Sequence, residues 1–354
     1  MSFRNVIGQT RAKTILKRML EGGRLPHALL LCGPAGVGKK ALALELAKAV
    51  NCAQNGLDPC DQCSSCRRIG AFNYPDLKVL LPATPRMKLE EERALLTEIS
   101  QDPYQIGPFS QNALISVEKV RELQREVAYG AYEGRWKVAM LLEADSMRAA
   151  AGNALLKTLE EPPKDVLIVL TSAKSESLLP TILSRCQRMT LGLIPEGDIR
   201  AALVDRRGLP PERATLIARI SKGSLSRAYQ IAQDDVEGYR REAYRFIEVS
   251  LKEDDLEALG LTEEVALQWD REAVERLLEM IGVWFRDVLL FRSGLVEALT
   301  HVDRLPDVER LSEIFELARI EQVIGSIDAT LDMMSRNVNV QLALLSVSRC
   351  IQGA

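Results

Sequence analysis

Histidine is nearly missing from this 354-residue chain: only His27 and His301 occur. No Ser/His/Asp arrangement presents itself, which argues against hydrolase chemistry by that route. His27 stands just before an apolar run and reads as a packed or hydrogen-bonded side chain rather than a ligand. No uninterrupted apolar run approaches the roughly 20 residues that a membrane-spanning helix requires. Met1 to Gln9 is too polar for a signal peptide, so the expectation is a cytoplasmic protein. Positive charge is not in surplus either. The 46 Lys and Arg face 49 Asp and Glu, for a formal net charge of −3. That removes any global electrostatic case for nucleic-acid binding, although a local basic patch survives such an average.

What remains is the composition of an ordinary globular protein, 47% hydrophobic and 27% charged, with enough chain for two or three domains at roughly 150 residues each. Ala28 to Leu31, Leu77 to Leu81, Val138 to Leu142 and Val166 to Leu170 are short apolar runs of the kind that form strands buried on both faces. Between them Ala41 to Val50, Val117 to Ala128 and Ala149 to Glu160 carry apolar residues at helical spacing, the last stopped by Pro162 and Pro163. The pattern predicts an α/β layer with a mostly parallel sheet.

After about Leu193 the pattern turns helical to the end, so the fold class is α/β followed by all-α. Val274, Leu277, Leu278, Ile281, Phe285, Val288 and Leu289 fall on one helical face, and Leu311, Ile314, Phe315, Leu317, Ala318, Val323 and Ile324 are expected to share another. Turn signals at Gly208 to Pro211 and Lys222 to Ser224 mark off a small helical unit. The expected division is 1–192, 193–235 and 236–354. Residues 82 to 114, with four prolines and no sustained period, read as a long loop or insertion. There is no internal repeat.

The stretch Gly33-Pro34-Ala35-Gly36-Val37-Gly38-Lys39-Lys40 matches the first seven positions of the phosphate-binding pattern G-x-x-x-x-G-K-[ST]. It follows an apolar strand and opens an alanine-rich helix, the context in which backbone N–H groups and a helix N-terminus can face phosphate oxygens. Gly33, Gly36, Gly38, Lys39 and Lys40 are the candidate nucleotide-binding residues. The eighth position calls for a hydroxyl that ligates Mg²⁺. Lys40 stands there instead, and an ammonium has no lone pair to offer a cation.

The second Mg²⁺ contact in such sites comes from an aspartate at the end of a neighbouring strand. In the run Lys137 to Met147, setting Glu143 on the glutamate of the usual Asp-Glu pair puts Leu142 on the aspartate. Asp145, two residues on, is given minor weight because it belongs to the following turn. Two independent losses on one ion point to a site that does not hydrolyse ATP. Whether it binds ATP stays open, since Lys39 and Lys40 both favour a polyphosphate.

Cys52, Cys60, Cys63 and Cys66 give C-x7-C-x2-C-x2-C. Four thiolates this close can surround one ion tetrahedrally, and Zn²⁺ is the favoured occupant. An iron–sulfur cluster accepts the same ligand number. With four protein ligands no position is left for substrate, so the role is structural.

Phe3-Arg4-Asn5-Val6-Ile7-Gly8-Gln9, the altered phosphate loop, Asn153-Ala154-Leu155-Leu156-Lys157-Thr158-Leu159-Glu160-Glu161-Pro162-Pro163 and Ser184-Arg185-Cys186 together resemble the bacterial clamp-loader group of AAA+ proteins. These motifs cover residues 3 to about 227; beyond them only Asn337-Val338-Asn339-Val340-Gln341-Leu342 is similar. The resemblance implies a RecA-like P-loop domain with a zinc module, a small helical lid and a C-terminal helical collar. It also implies a place in a pentameric DNA polymerase III assembly that uses ATP to load a sliding clamp on primer-template DNA. Gamma or tau subunits would be its motors, delta a further partner, and this chain a non-hydrolysing stator.

The resemblance further implies that Arg185 is an arginine finger reaching a neighbour's ATP site, with Arg188 a nearby competitor. Thr171 and Arg227 fall at the two sensor positions, and zinc ranks above iron–sulfur. The alternative is an active gamma- or tau-like motor with an atypical Mg²⁺ site. A zinc-dependent DNA-binding module on an incidental AAA+ body is a third reading, weakened by the near-neutral charge.

Overall fold

The computed structural model describes residues 3–54, 56–104, 113–252, 254–334 and 338–353. Asn337, the first residue of the C-terminal motif, and residues 105–112 of the 82–114 stretch lie outside them. The chain forms two compact units, residues 1–230 and 231–354.

The first unit is built on strands β1 (Ala28–Cys32), β2 (Leu77–Leu80), β3 (Lys137–Leu141), β4 (Val166–Ser172) and β5 (Gln187–Thr190), in the order β2-β3-β4-β1-β5 and parallel throughout. β1 and β4 are buried at every residue, as strands covered by helices on both faces must be. The helices of this unit are α1 (Thr10–Glu21), α2 (Lys39–Asn51), α3 (Ser64–Gly70), α4 (Leu89–Gln101), α5 (Val117–Ala128), α6 (Ala149–Glu160), α7 (Pro180–Leu183), α8 (Glu196–Arg207), α9 (Pro211–Ile220) and α10 (Leu225–Gln233), the last crossing the boundary between units. One face of the sheet packs Leu30, Leu141, Ile168 and Leu170 against Leu123 of α5 and Leu155 and Leu159 of α6, each such side chain contributing about 1.5–3 kcal/mol by burial. His27 Nε2 lies 3.1 Å from the Leu159 carbonyl.

Two parts of this unit depart from the sequence expectation. The 82–114 stretch is not a plain loop, because α4 occupies its middle. Glu91 accepts the Lys88 N–H at 2.9 Å to start that helix, and Leu95 and Ile99 bury its inner face. The prolines gather at the ends of the stretch, so its average composition conceals a helix. β5 also went unseen, since only Met189 of its four residues is buried.

The second unit is all-helical in its described residues: α11 (Val236–Leu251), α12 (Asp255–Gln268), α13 (Arg271–Arg292), α14 (Leu305–Ile314), α15 (Leu317–Met334) and α16 (Val340–Gln352). The expected face of α13 is buried from Val274 to Val288, with Leu289 half-buried. The second expected face does not exist as one stripe. The helix breaks after Ile314, so that Leu311, Phe315 and Val323 are buried while Ile314 and Leu317 are about half exposed. A buried carboxylate clamps the loop after α13: Asp287 accepts from the Thr300 and His301 backbone N–H groups at 2.7–3.0 Å and from His301 Nδ1 at 2.8 Å, while Trp284 stacks on His301 at 3.9 Å. No helix among the described residues is long and apolar enough to cross a membrane.

Candidate functional site

The phosphate-type loop runs from the end of β1 into α2. Gly36 and Gly38 hold φ of 77° and 96°, a region that favours glycine. Lys39 is buried, and its Nζ donates to the Gly33 and Pro34 carbonyls at 2.7 and 2.6 Å, so the ammonium is folded back on its own loop. Burial draws its pKa down to about 8, against the pull of Asp145 and Glu143. Burial lowers Lys40 as well, opposed by Glu143 and Asp102. A cavity of about 250 Å³ opens over the loop, with Gly36, Gly38, Lys39 and Lys40 on one side and Glu143, Asp145 and Thr171 on another.

Leu142 is fully buried, its N–H donating to Leu80 O at 2.8 Å, and it does not line the cavity. Glu143 follows at φ 52° and donates its N–H to Thr171 Oγ1 at 3.0 Å. Burial raises the Glu143 pKa, with Lys40 opposing. Asp145 carries more than the minor weight assigned from sequence. It does sit on the following turn, Ala144–Ser146, but that turn is a tight 3₁₀ one that brings its carboxylate into the cavity. The cavity therefore sets two carboxylates against two ammonium groups. Arg227 is half-buried and does not line it. Pro103, Tyr104 and Ser226 do, and sequence reasoning missed all three.

Arg185 lies outside that cavity, between α7 and β5. Its Nη1 donates to the Thr181 carbonyl at 3.0 Å and to Ser184 Oγ at 3.3 Å, and its Nη2 pairs with Glu160 Oε1 at 2.7 Å. The guanidinium keeps 34% of its side-chain surface exposed, whereas the next residue, Cys186, is anchored in the core. Arg188 Nη2 reaches Ser175 Oγ at 3.5 Å.

The four clustered cysteines converge, their sulfurs all within 4.8 Å of one another and Cys60 and Cys66 4.0 Å apart. Four sulfurs at roughly 2.3 Å from a common centre would stand about 3.8 Å apart, so the donor set fits a tetrahedral thiophilic ion. Backbone N–H groups of Cys60, Cys63 and Cys66 point at the sulfurs of Cys52, Cys60 and Cys63 at 3.3–3.4 Å, which stabilises thiolate charge. The remaining cysteines, Cys32, Cys186 and Cys350, stand apart from the cluster.

Comparison with known proteins bears on the same regions. The family described as DNA polymerase III, delta subunit, matches residues 8–194, and the one described as DNA polymerase III, delta subunit, C terminal, matches residues 249–347. The DNA polymerase III subunit delta' of Bacillus subtilis is 28% identical over 94% of this chain and 93% of its own length. The DNA polymerase III subunit tau of Escherichia coli is 30% identical over 86% of this chain, which spans only 44% of that longer protein. A solved gamma subunit-related protein from Thermotoga maritima aligns over 96% of this chain and 98% of its own at 15% identity and a TM-score of 0.45, too loose a likeness to bear on function. With more than half of its residues matched by the first of these families, the chain belongs to the DNA polymerase III delta-subunit family.

Proposed function

We propose that this chain is a non-hydrolysing stator subunit of a DNA polymerase III clamp loader, acting in the cytoplasm beside gamma or tau motors and a delta subunit as they load a sliding clamp on primer-template DNA. The observation that carries the reading is Lys40. An ammonium where the Mg²⁺-binding hydroxyl belongs repels the ion that phosphoryl transfer requires, and the fully buried Leu142 offers no ligand in compensation. The chain's chemical contribution is then made in trans through Arg185, whose planar, always-charged fork suits γ-phosphate oxygens as charge develops on them. Residues 1–192 would form the AAA+ domain, 193–235 the lid and 236–354 the collar. Zn²⁺ on Cys52, Cys60, Cys63 and Cys66 would fold the excursion after α2 without taking part in chemistry.

A second reading, an active motor with an atypical Mg²⁺ site, draws on Asp145, which does reach the cavity. Lys39 already feels both that carboxylate and Glu143, and Lys40 feels Glu143, so a divalent ion there would meet two ammonium groups. Rebuilding the assembly from gamma or tau, delta and the clamp of the same cell, with and without this chain, tests the stator role. Clamp loading and ATP turnover are expected to fall sharply when the chain is omitted; an assembly that loads clamps equally well without it would remove the proposal.

A further inference from the structure

Tyr104 is 1% exposed although it lies in a stretch whose sequence shows no strand or core signature. Its hydroxyl accepts the Ile7 backbone N–H at 2.6 Å. Its ring lies against Gly38 so closely that a Cβ added there would stand 2.8 Å from the Tyr104 oxygen and 3.0 Å from a ring carbon. Tyr229 meets the ring edge-on at 6.4 Å between centroids, and the Ser226 hydroxyl donates to the Tyr104 carbonyl.

The segment is tied down on both sides. Asp102 accepts the Tyr104 N–H at 3.0 Å and pairs with Arg207 of α8 at 2.6 Å, and Arg207 in turn lies over the Tyr229 ring at 4.2 Å. The opposite wall is closed by the start of α10. Leu225 donates its N–H to the Gly36 carbonyl at 3.1 Å, and a Cβ on Gly36 would stand 2.9 Å from Ser226 Cβ. With Lys39 bent onto Gly33 and Pro34, both the lysine ammonium and the Gly36 carbonyl are engaged by the chain itself. The space left, about 250 Å³, falls below the roughly 300–1,000 Å³ of sites that hold drug-sized ligands.

A flat aromatic ring with a hydroxyl oxygen accepting from a backbone N–H offers two things a purine offers, a π face and a hydrogen-bond acceptor in its plane. We propose that Tyr104 is an intramolecular plug that occupies the base position beside the phosphate loop, so that a purine nucleotide enters this chain only when the Asp102–Tyr104 segment withdraws. This rests on reading Gly33 to Lys39 as a nucleotide loop. It goes beyond the missing Mg²⁺ ligands, which bear on hydrolysis and leave binding open. A binding-competent state populated at 0.1–10% would weaken apparent affinity by roughly 10- to 1,000-fold.

The test is calorimetric titration of the intact chain with ADP and with MgATP, comparing the natural protein, Tyr104→Ala and Tyr104→Phe. Tyr104→Ala is expected to bind at least about 10-fold more tightly, and Tyr104→Phe, which keeps the ring, to stay near the natural value. Equal affinity of the natural protein and Tyr104→Ala overturns the plug. Should Tyr104→Ala fail to fold by circular dichroism, Asp102→Ala, which releases the Arg207 tether from outside the cavity, must show the gain, and its absence is equally adverse.

Adding Lys39→Ala to the opened variant separates the plug from the reading beneath it. If the gained binding survives that change, the phosphate-loop assignment is wrong. If Tyr104→Ala binds and also turns ATP over, the non-hydrolysing proposal fails while the plug stands. If nothing binds, the plug fails and that proposal is untouched.

Discussion

Arg185→Ala is expected to slow ATP hydrolysis at the neighbouring subunit's site by roughly 10³- to 10⁵-fold, the range for a finger supplied in trans, which corresponds to about 4–7 kcal/mol of transition-state stabilisation. In the chain itself the guanidinium pairs with Glu160 at 2.7 Å and leans on Thr181 and Ser184. Both members of that pair are part-exposed, and such pairs contribute only about 0–1 kcal/mol. The substitution should therefore leave the folded chain nearly as stable as before, with an unchanged thermal midpoint. Glu160 can give up the guanidinium to a phosphate at little cost. Arg185→Lys should rescue only part of the rate, because an ammonium keeps the charge and loses the two-pronged geometry. The measurement is single-turnover hydrolysis in the rebuilt assembly. An unchanged rate with Arg185→Ala would pass the role to Arg188 or to no residue of this chain.

Removing the metal should have the largest effect on stability. The folded chain is expected to carry one equivalent of zinc. Cys66→Ser, or a strong chelator, is expected to release it and to unfold the excursion from Cys52 to Gly70, withdrawing binding energy of about 10–16 kcal/mol. Cys66 is buried and Cys63 caps the start of α3, so the sulfurs and the helix are one structural element. Ion pairs of Lys48 with Asp61 at 2.8 Å and of Lys17 with Asp58 at 3.0 Å are weak by comparison and should not hold the module alone. Acidification should release the ion as well, because its ligands have to be thiolates. Elemental analysis together with hydrogen exchange checks this. A metal-free chain with full protection over residues 52–70 would contradict it.

The parts legible in the sequence share one property: their signal is local and contiguous. β1, β3 and β4 are buried along their whole length and β2 at both of its ends, so each reads as a mainly apolar run. The phosphate-type loop and the C-x7-C-x2-C-x2-C cluster declare themselves within a few residues. β5 pairs along the exposed rim of the first unit's sheet with one buried side chain, Met189, which leaves nothing for periodicity to find.

Tyr104 takes its importance from Ile7, Gly38 and Ser226, which lie 97, 66 and 122 positions away in the chain, and no window of sequence contains that contact. Asp145 is given little weight from sequence because it falls on the turn after the strand, yet the backbone turns at Glu143 with φ 52° and that turn places Asp145 on the cavity over the loop. The stripe expected across Leu311 to Ile324 failed for a related reason. Apolar residues on either side of a helix break keep their spacing in sequence and lose it in space.

The most direct test of the account is steady-state ATP turnover by the purified chain alone with Mg²⁺, beside a Lys39→Ala control. No turnover above the control is expected. Turnover that Lys39→Ala abolishes would contradict it, and would mean that Asp145 and Glu143 hold the ion despite Lys40 and that this chain is itself a motor.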